Sequence, residues 1–315
     1  MDARTPRAHP LPCPRRRIAL HLRHIGYVGQ NLTLDLTTNR TLRLASLGPE
    51  RLAQVIEANL AALLEILRWN ARQGIRLFRV GSSVIPFASH ERFELDWEER
   101  FAGQLDQARE FVRANGMRLS MHPGQYTVIN SPNQQVVANT KAELLYSARF
   151  LQQVDPLTGT ITLHIGGAYG EPRQALTRFI NTARTLPELV LERLCVENDD
   201  TTFDVIDALE VARPLGIPVV FDFHHHRCLS REGDVPSPEL LHEVVASWAG
   251  RVPKFHLSSP RTPGAKAHAD YIEPADLEAA LGLLEGVGGE GHPFDLMLEA
   301  KAKDRAALRV LEALR

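Results

Sequence analysis

At 315 residues, with 44% hydrophobic and 23% charged side chains, the chain has a normal globular composition and enough apolar mass for a large core. No run approaches the roughly 18 apolar residues that cross a bilayer, so no transmembrane helix is expected. The first 17 residues hold five arginines and four prolines but no apolar stretch, which does not read as a secretory signal and is better read as a flexible basic arm (1–17) before one domain over 18–315. The three cysteines, Cys13, Cys195 and Cys228, are far apart and form no CxxC pair. They argue against a disulfide framework and a thiolate zinc site and for a reducing cytoplasm; Cys195, inside an apolar run, reads as a small core residue. The formal net charge of −2 does not favour a polyanionic partner, but it does not exclude one, because affinity for phosphate depends on where positive charge is placed.

In chain order, short apolar runs rich in β-formers alternate with helix-periodic ones. Strands are expected within 18–27 and at 76–80, 118–122, 160–165, 194–197, 218–223, 254–257 and 295–299. Between the first two, Leu52, Ile56, Leu60, Leu63 and Leu67 recur at helical spacing after Pro49, and Gly74 is placed to cap that helix. Helices follow at 97–115, 133–154 and 172–185, then from a cap at Asp200 or Thr201 to Ala212, at 238–248, at 274–284 and at 303–314. Several strands are apolar nearly throughout, as at Val219-Val220-Phe221, which suits parallel strands covered on both faces. Eight such strands alternating with helices give an α/β fold, a single TIM (β/α)8 barrel. The competing open doubly wound sheet would carry a glycine-rich phosphate loop after an early strand, and none is present.

A barrel gathers the ends of its strands around one mouth. There the sequence places His90, His122, His164, His225 and His256 together with Glu197, Asp222 and Glu299. Imidazole and carboxylate suit zinc, manganese or iron(II), and eight donors exceed the needs of one ion. Two or three divalent ions are therefore expected at a C-terminal-face site. Singly each residue is a weak signal, since a strand-end histidine is commonly a hydrogen-bonded structural residue and Glu299 has Lys301 at hand for a pair. Seven successive strands ending this way is the stronger observation. Such centres commonly hydrolyse phosphate esters, and sugar isomerases use related barrels; the histidine richness favours phosphodiester hydrolysis.

The sequence resembles the ultraviolet damage endonuclease family from about Ile25 to Lys301. The motifs, in order, are Gly26-Tyr27, Phe87-Ala88-Ser89-His90, His122-Pro123-Gly124-Gln125-Tyr126, Leu163-His164-Ile165-Gly166-Gly167, Glu197-Asn198-Asp199, Asp222-Phe223-His224-His225-His226, Lys254-Phe255-His256-Leu257-Ser258 and Glu299-Ala300-Lys301. The resemblance implies a TIM barrel related to the endonuclease IV group, with up to three divalent metals, manganese foremost and zinc, magnesium or cobalt as alternatives. It implies damaged double-stranded DNA as partner and incision immediately 5′ of pyrimidine dimers, 6-4 photoproducts and some other lesions, leaving a 3′ hydroxyl. It adds His268 as a ninth ligand, and it makes Lys254 a catalytic lysine that the family carries in carboxylated form, beside Glu197 and Glu299. By the same resemblance Gln125 and Tyr126 enter the helix at the lesion, while Tyr27 and Asn31 line the pocket for the damage. Space-filling by an amide and an aromatic is physically reasonable, because damaged bases cost less to extrude. The other reading is that Gln125-Tyr126 only packs the turn set by Pro123-Gly124. No obligate protein partner is evident, and the expected location is the cytoplasm, at the nucleoid when acting on DNA. The alternatives are an abasic-site endonuclease of the endonuclease IV kind, a sugar isomerase on the same scaffold, and a damage-binding protein without activity.

Overall fold

In the computed structural model, which describes residues 21–46, 48–230, 233–287 and 292–315, eight parallel strands close into a barrel. The expected arm at 1–17 lies outside the described residues. The first strand is β1 (Leu22–Val28), followed by a small antiparallel hairpin, β2 (Gln30–Asn31) and β3 (Leu36–Thr37), that the sequence did not announce. Next come α1 (Pro49–Gln73) and β4 (Leu77–Val80), then α2 (Trp97–Arg100) and α3 (Ala102–Ala114) where one helix was expected, and β5 (Arg118–Met121). The chain continues through α4 (Gln134–Val154), β6 (Thr160–His164), α5 (Pro172–Ala183), the short α6 (Glu188–Leu191) and β7 (Leu194–Glu197). Then follow α7 (Val205–Ala212), β8 (Val219–Asp222), α8 (Phe223–Leu229) and α9 (Pro238–Ser247). The last elements are β9 (Lys254–Leu257), α10 (Pro274–Val287), β10 (Phe294–Leu298) and α11 (Lys303–Ala313). Strand order is β1-β10-β9-β8-β7-β6-β5-β4, and β4 pairs back on β1 to close the ring. This is the expected TIM barrel.

Helix ends follow local chemistry. Gly74, at φ 80°, turns the chain out of α1 and donates its N–H to Ala71 and Asn70 carbonyls. The cap expected at Asp200 or Thr201 is instead at Asp204, whose carboxylate accepts the Ile206 and Asp207 N–H groups. The reason is Asp199: its carboxylate takes the N–H groups of Thr201, Thr202 and Phe203, so a tight loop comes before the helix. At the β1–β4 seam a Cβ on Gly26 would lie 2.3 Å from the Leu77 carbonyl oxygen, so only glycine lets the two strands approach there.

One apolar core fills the space between barrel and helices, with Ile56, Leu63 and Ile66 of α1, Phe150 of α4 and Phe221 of β8 buried. The barrel interior is more polar. Toward the strand starts, Arg118 and Arg23 both pair with buried Asp295, at 2.8 and 2.5 Å. Strand register brings the other ends together: His164 is paired across from Glu197, and Asp222 across from His256.

Candidate active site

Each strand from β5 to β10 delivers at least one side chain to the barrel mouth. Glu197, the last residue of β7, is fully buried and lies at the centre. One of its oxygens is 3.0 Å from His122 Nε2 and 3.6 Å from His164 Nε2; the other is 2.6 Å from His256 Nδ1 and 3.7 Å from His225 Nδ1. Asp222 ends β8 and caps α8 by accepting the His225 N–H at 2.7 Å. That short helix carries His225 back over the mouth. Glu299 follows β10 and is 3.2 Å from His256 Nδ1.

The donors fall into two groups that share Glu197. One atom each of His122, His164 and Glu197 lie within 4.8 Å of one another, and so do atoms of Glu197, Asp222, His256 and Glu299. Backbone carbonyls fix several of the rings. His122 Nδ1 lies 3.2 Å from the Pro123 oxygen, His225 Nδ1 3.0 Å from Asn198 and His268 Nδ1 2.8 Å from Glu299. Where Nδ1 donates, the neutral ring carries its lone pair on Nε2 for a cation; here the His122 Nε2 lies against Glu197. Asp222 Oδ2 and His164 Nδ1 are buried and have no hydrogen-bond partner among the described residues. Three crowded carboxylates, orphaned donors and oriented imidazoles are a set that fits divalent cations and is hard to rationalise without them.

The electrostatics agree. Burial pushes the Glu197 carboxyl up, but His256, His164 and the bond from His122 outweigh it and hold it well below the usual range. Asp222 is raised to about 6 by burial, with Glu299 and Glu197 adding to the rise against His225. Burial lowers His225, but Asp222, Glu197 and Glu299 reverse that and take it to about 9. His256 is lowered to about 4 by burial, helped by Arg79. Burial raises Glu299, and Arg79 and His256 more than reverse it, leaving the carboxyl far below its ordinary value. Such opposed shifts within one cleft mark a functional centre.

Other expected residues occupy distinct places. His90 stands outside both groups: its Nδ1 accepts the Arg92 N–H at 3.1 Å, which leaves the neutral ring with a proton on Nε2. His268 lies at the edge, 3.9 Å from a Glu299 oxygen, on the loop after β9. Lys254 is buried within the barrel, 3.1 and 3.0 Å from the Thr160 and Thr162 hydroxyls, and burial lowers its amine to about 7. Gln125 and Tyr126 form an exposed turn; Tyr126 is 83% exposed, so it does not pack the turn. Tyr27 and Asn31 do not reach the surface. Tyr27 donates its hydroxyl to Asn70 of α1 and accepts from Asn31, both at 2.8 Å.

Two site residues were missed by sequence reasoning. Arg79 of β4 is buried with Nη2 2.6 Å from Glu299 and 2.9 Å from His256 Nε2, and the pairing of Glu299 with Lys301 that its spacing allowed is not formed. The clue was a charged residue within the apolar run Leu77-Phe78-Arg79-Val80, a strand buried on both faces. Asn198 clamps Asp222 through both its backbone groups, at 2.9 and 3.1 Å.

Fold and cage together define a TIM-barrel protein with an imidazole–carboxylate centre at its C-terminal mouth. The family model for UV-endonuclease UvdE matches residues 18–315. The chain is 33% identical over 301 residues to the UV DNA damage endonuclease of Bacillus pumilus (strain SAFR-032), covering 92% of this chain and 93% of that one. It is similar to the crystal structure of SacUVDE, with a TM-score of 0.85 and 35% identity over 93% of this chain and 98% of that chain. Endonuclease IV from Thermus thermophilus shares the fold at a TM-score of 0.55 and 15% identity, over 80% of this chain and 93% of that chain. The chain belongs to the UV-endonuclease UvdE family.

Proposed function

We propose that this protein is a DNA-repair endonuclease that nicks the phosphodiester immediately 5′ of ultraviolet photoproducts in double-stranded DNA, and of some other lesions, leaving a 3′ hydroxyl. The observation that carries the reading is the pair of donor groups sharing buried Glu197 at the barrel mouth, in a chain of this family. His122, His164, Glu197, Asp222, His225, His256, His268 and Glu299 would hold two to three divalent cations, manganese foremost. Once bound, the cations would supply Lewis acidity and neutralise charge at the phosphate. His90 joins that set only with its ring tautomer reversed.

The chain's own groups do the rest. Backbone carbonyls orient the imidazoles, and Asn198 fixes Asp222. Arg79 fixes Glu299 and His256 from below. Gln125 and Tyr126, already exposed, enter the duplex where damage has weakened stacking and pairing. Tyr27 and Asn31 support this from inside, bracing the start of the hairpin after β1 against α1. Lys254 would take up carbon dioxide as a carbamate, losing a proton from a nitrogen already neutral in part near pH 7. No helix among the described residues is long and apolar enough to cross a membrane; the place of action we infer is the cytoplasm, at the nucleoid.

The test is incision of defined duplexes carrying one photoproduct, one abasic site or no damage, with Mn2+ and then with a chelator. Metal-dependent nicking 5′ of the photoproduct is expected. Cleavage of the abasic duplex alone would replace this reading with an endonuclease IV-like one.

A further inference from the structure

Lys303 opens α11 four residues beyond Glu299, and its backbone is left-handed, with φ 51°. That conformation is free for glycine and strained for any residue with a Cβ, so a lysine there needs a reason. Its side chain is half-buried, its backbone sits just past the end of β10 that carries Glu299, and the Glu299 and Arg79 charges act on its ammonium in opposite senses. The two cations there are used differently. Arg79 is committed, with Nη2 on Glu299 and on His256. Lys303 forms no ion pair or side-chain hydrogen bond among the described residues; its backbone N–H donates to the Ala300 carbonyl.

Glu299 therefore does not need Lys303 as a counter-charge, because Arg79 is already 2.6 Å away. An ammonium held partly out of water without a partner is costly. Placed beyond the end of a barrel strand, at the face where TIM-barrel enzymes do their chemistry, it is kept for a group that arrives. A phosphate oxygen is the anion that a compact, rotatable three-donor ammonium suits best. We propose that Lys303 is a phosphate-contacting catalytic residue, whose ammonium binds a non-bridging oxygen of the DNA phosphodiester seated at the cage. This rests on the endonuclease reading above.

The variants K303G, K303M and K303R test it through two readouts. The first is thermal stability, which needs no substrate. Glycine relieves the backbone strain, so K303G is expected to melt at or above the wild-type temperature; melting clearly below it would show a structural lysine and overturn the inference. The second is incision of the photoproduct duplex, with Mn2+ uptake measured in parallel. K303M and K303G are expected to lose on the order of 10²-fold in kcat, with Mn2+ uptake unchanged and K303R recovering part of the loss. Wild-type nicking matched by K303M would sink the Lys303 role alone. A wild-type protein that does not nick would sink the endonuclease reading and this inference together.

Discussion

At the start of its strands the barrel interior pairs opposite charges: Arg118 and Arg23 close on buried Asp295, and Arg118 also reaches the Val252 and Thr158 carbonyls. Its guanidinium lies 5.1 Å from the Trp248 ring centre as well. Further along the same barrel, Glu197, Asp222 and Glu299 crowd together, and Asp222 Oδ2 has no partner among the described residues. One end satisfies its polar groups internally, as a structural layer must. The other leaves like charges close and donors idle, a cost that stability alone does not explain. Local violations of this kind are expected where function has shaped the sequence. The difference tells apart buried charge that holds the fold from buried charge grouped so that it could hold a cation.

Substitution at each end should therefore give opposite phenotypes. At the cage, His122→Ala or Glu197→Gln is expected to lower incision by about 10³-fold or more, while binding to lesion-bearing DNA and thermal stability are largely kept. A Glu197→Gln protein that unfolds but, when folded, cuts at the wild-type rate would erase the distinction. At the other end, Asp295→Ala leaves two guanidinium groups without their shared carboxylate. It is expected to cost about 3–5 kcal/mol of stability, read by denaturant unfolding, with kcat per folded molecule unchanged. A large loss of kcat with stability intact would show that the lower layer also serves the chemistry.

A smaller effect is expected at the mouth's surface. Tyr126→Ala removes an aromatic that is 83% exposed, so the melting temperature should not move. Affinity for a photoproduct duplex over an undamaged one should fall by roughly tenfold, the scale of one lost aromatic–base stacking contact. Binding and cutting identical to wild type would refute the wedge role.

The strand-end cluster was legible because two regularities act together: strands alternate sides with period two, and a barrel brings all their C-terminal ends to one place. His122, His164, Glu197, Asp222 and His256 needed nothing more. Arg79 was not legible, because a long side chain on an inward position can reach several partners and only the packed barrel selects Glu299 and His256. His90 sits on a loop, where spacing does not fix ring orientation, and a local bond from Arg92 holds it instead. Tyr27 and Asn31 read as pocket residues by resemblance; the structure adds that the Tyr27 hydroxyl donates to Asn70, a partner 43 residues away that no local pattern reveals, and accepts from Asn31. The Asp204 cap was missed for a related reason: Asp200 and Thr201 stand just before it as equally good capping residues, and the Asp199 turn takes up that stretch before the helix starts.

The smallest expected effect concerns protons at the cage. In metal-free protein His225 titrates at about 9, above the 6.5 of an unfolded imidazole. The folded state therefore holds a proton between those values that the unfolded state lacks, so the contribution of His225 to stability is full below about 6.5 and is lost as pH rises through about 9. Asp222, raised to about 6, acts in the same sense at lower pH, between its unfolded 3.8 and about 6. The metal-free protein should thus melt progressively lower from pH 6.5 to 9. A cation needs the deprotonated ring, so Mn2+ should bind more tightly over the same range and release close to one proton per molecule near pH 7.5. Calorimetric titrations in buffers of different ionisation heat measure that number directly. In Asp222→Asn, His225 loses the largest of its anionic partners and its proton is held less firmly, so the release should shrink. Proton release near zero in the unaltered protein would mean that His225 does not meet the metal, and would leave the cage to the residues that share Glu197 directly.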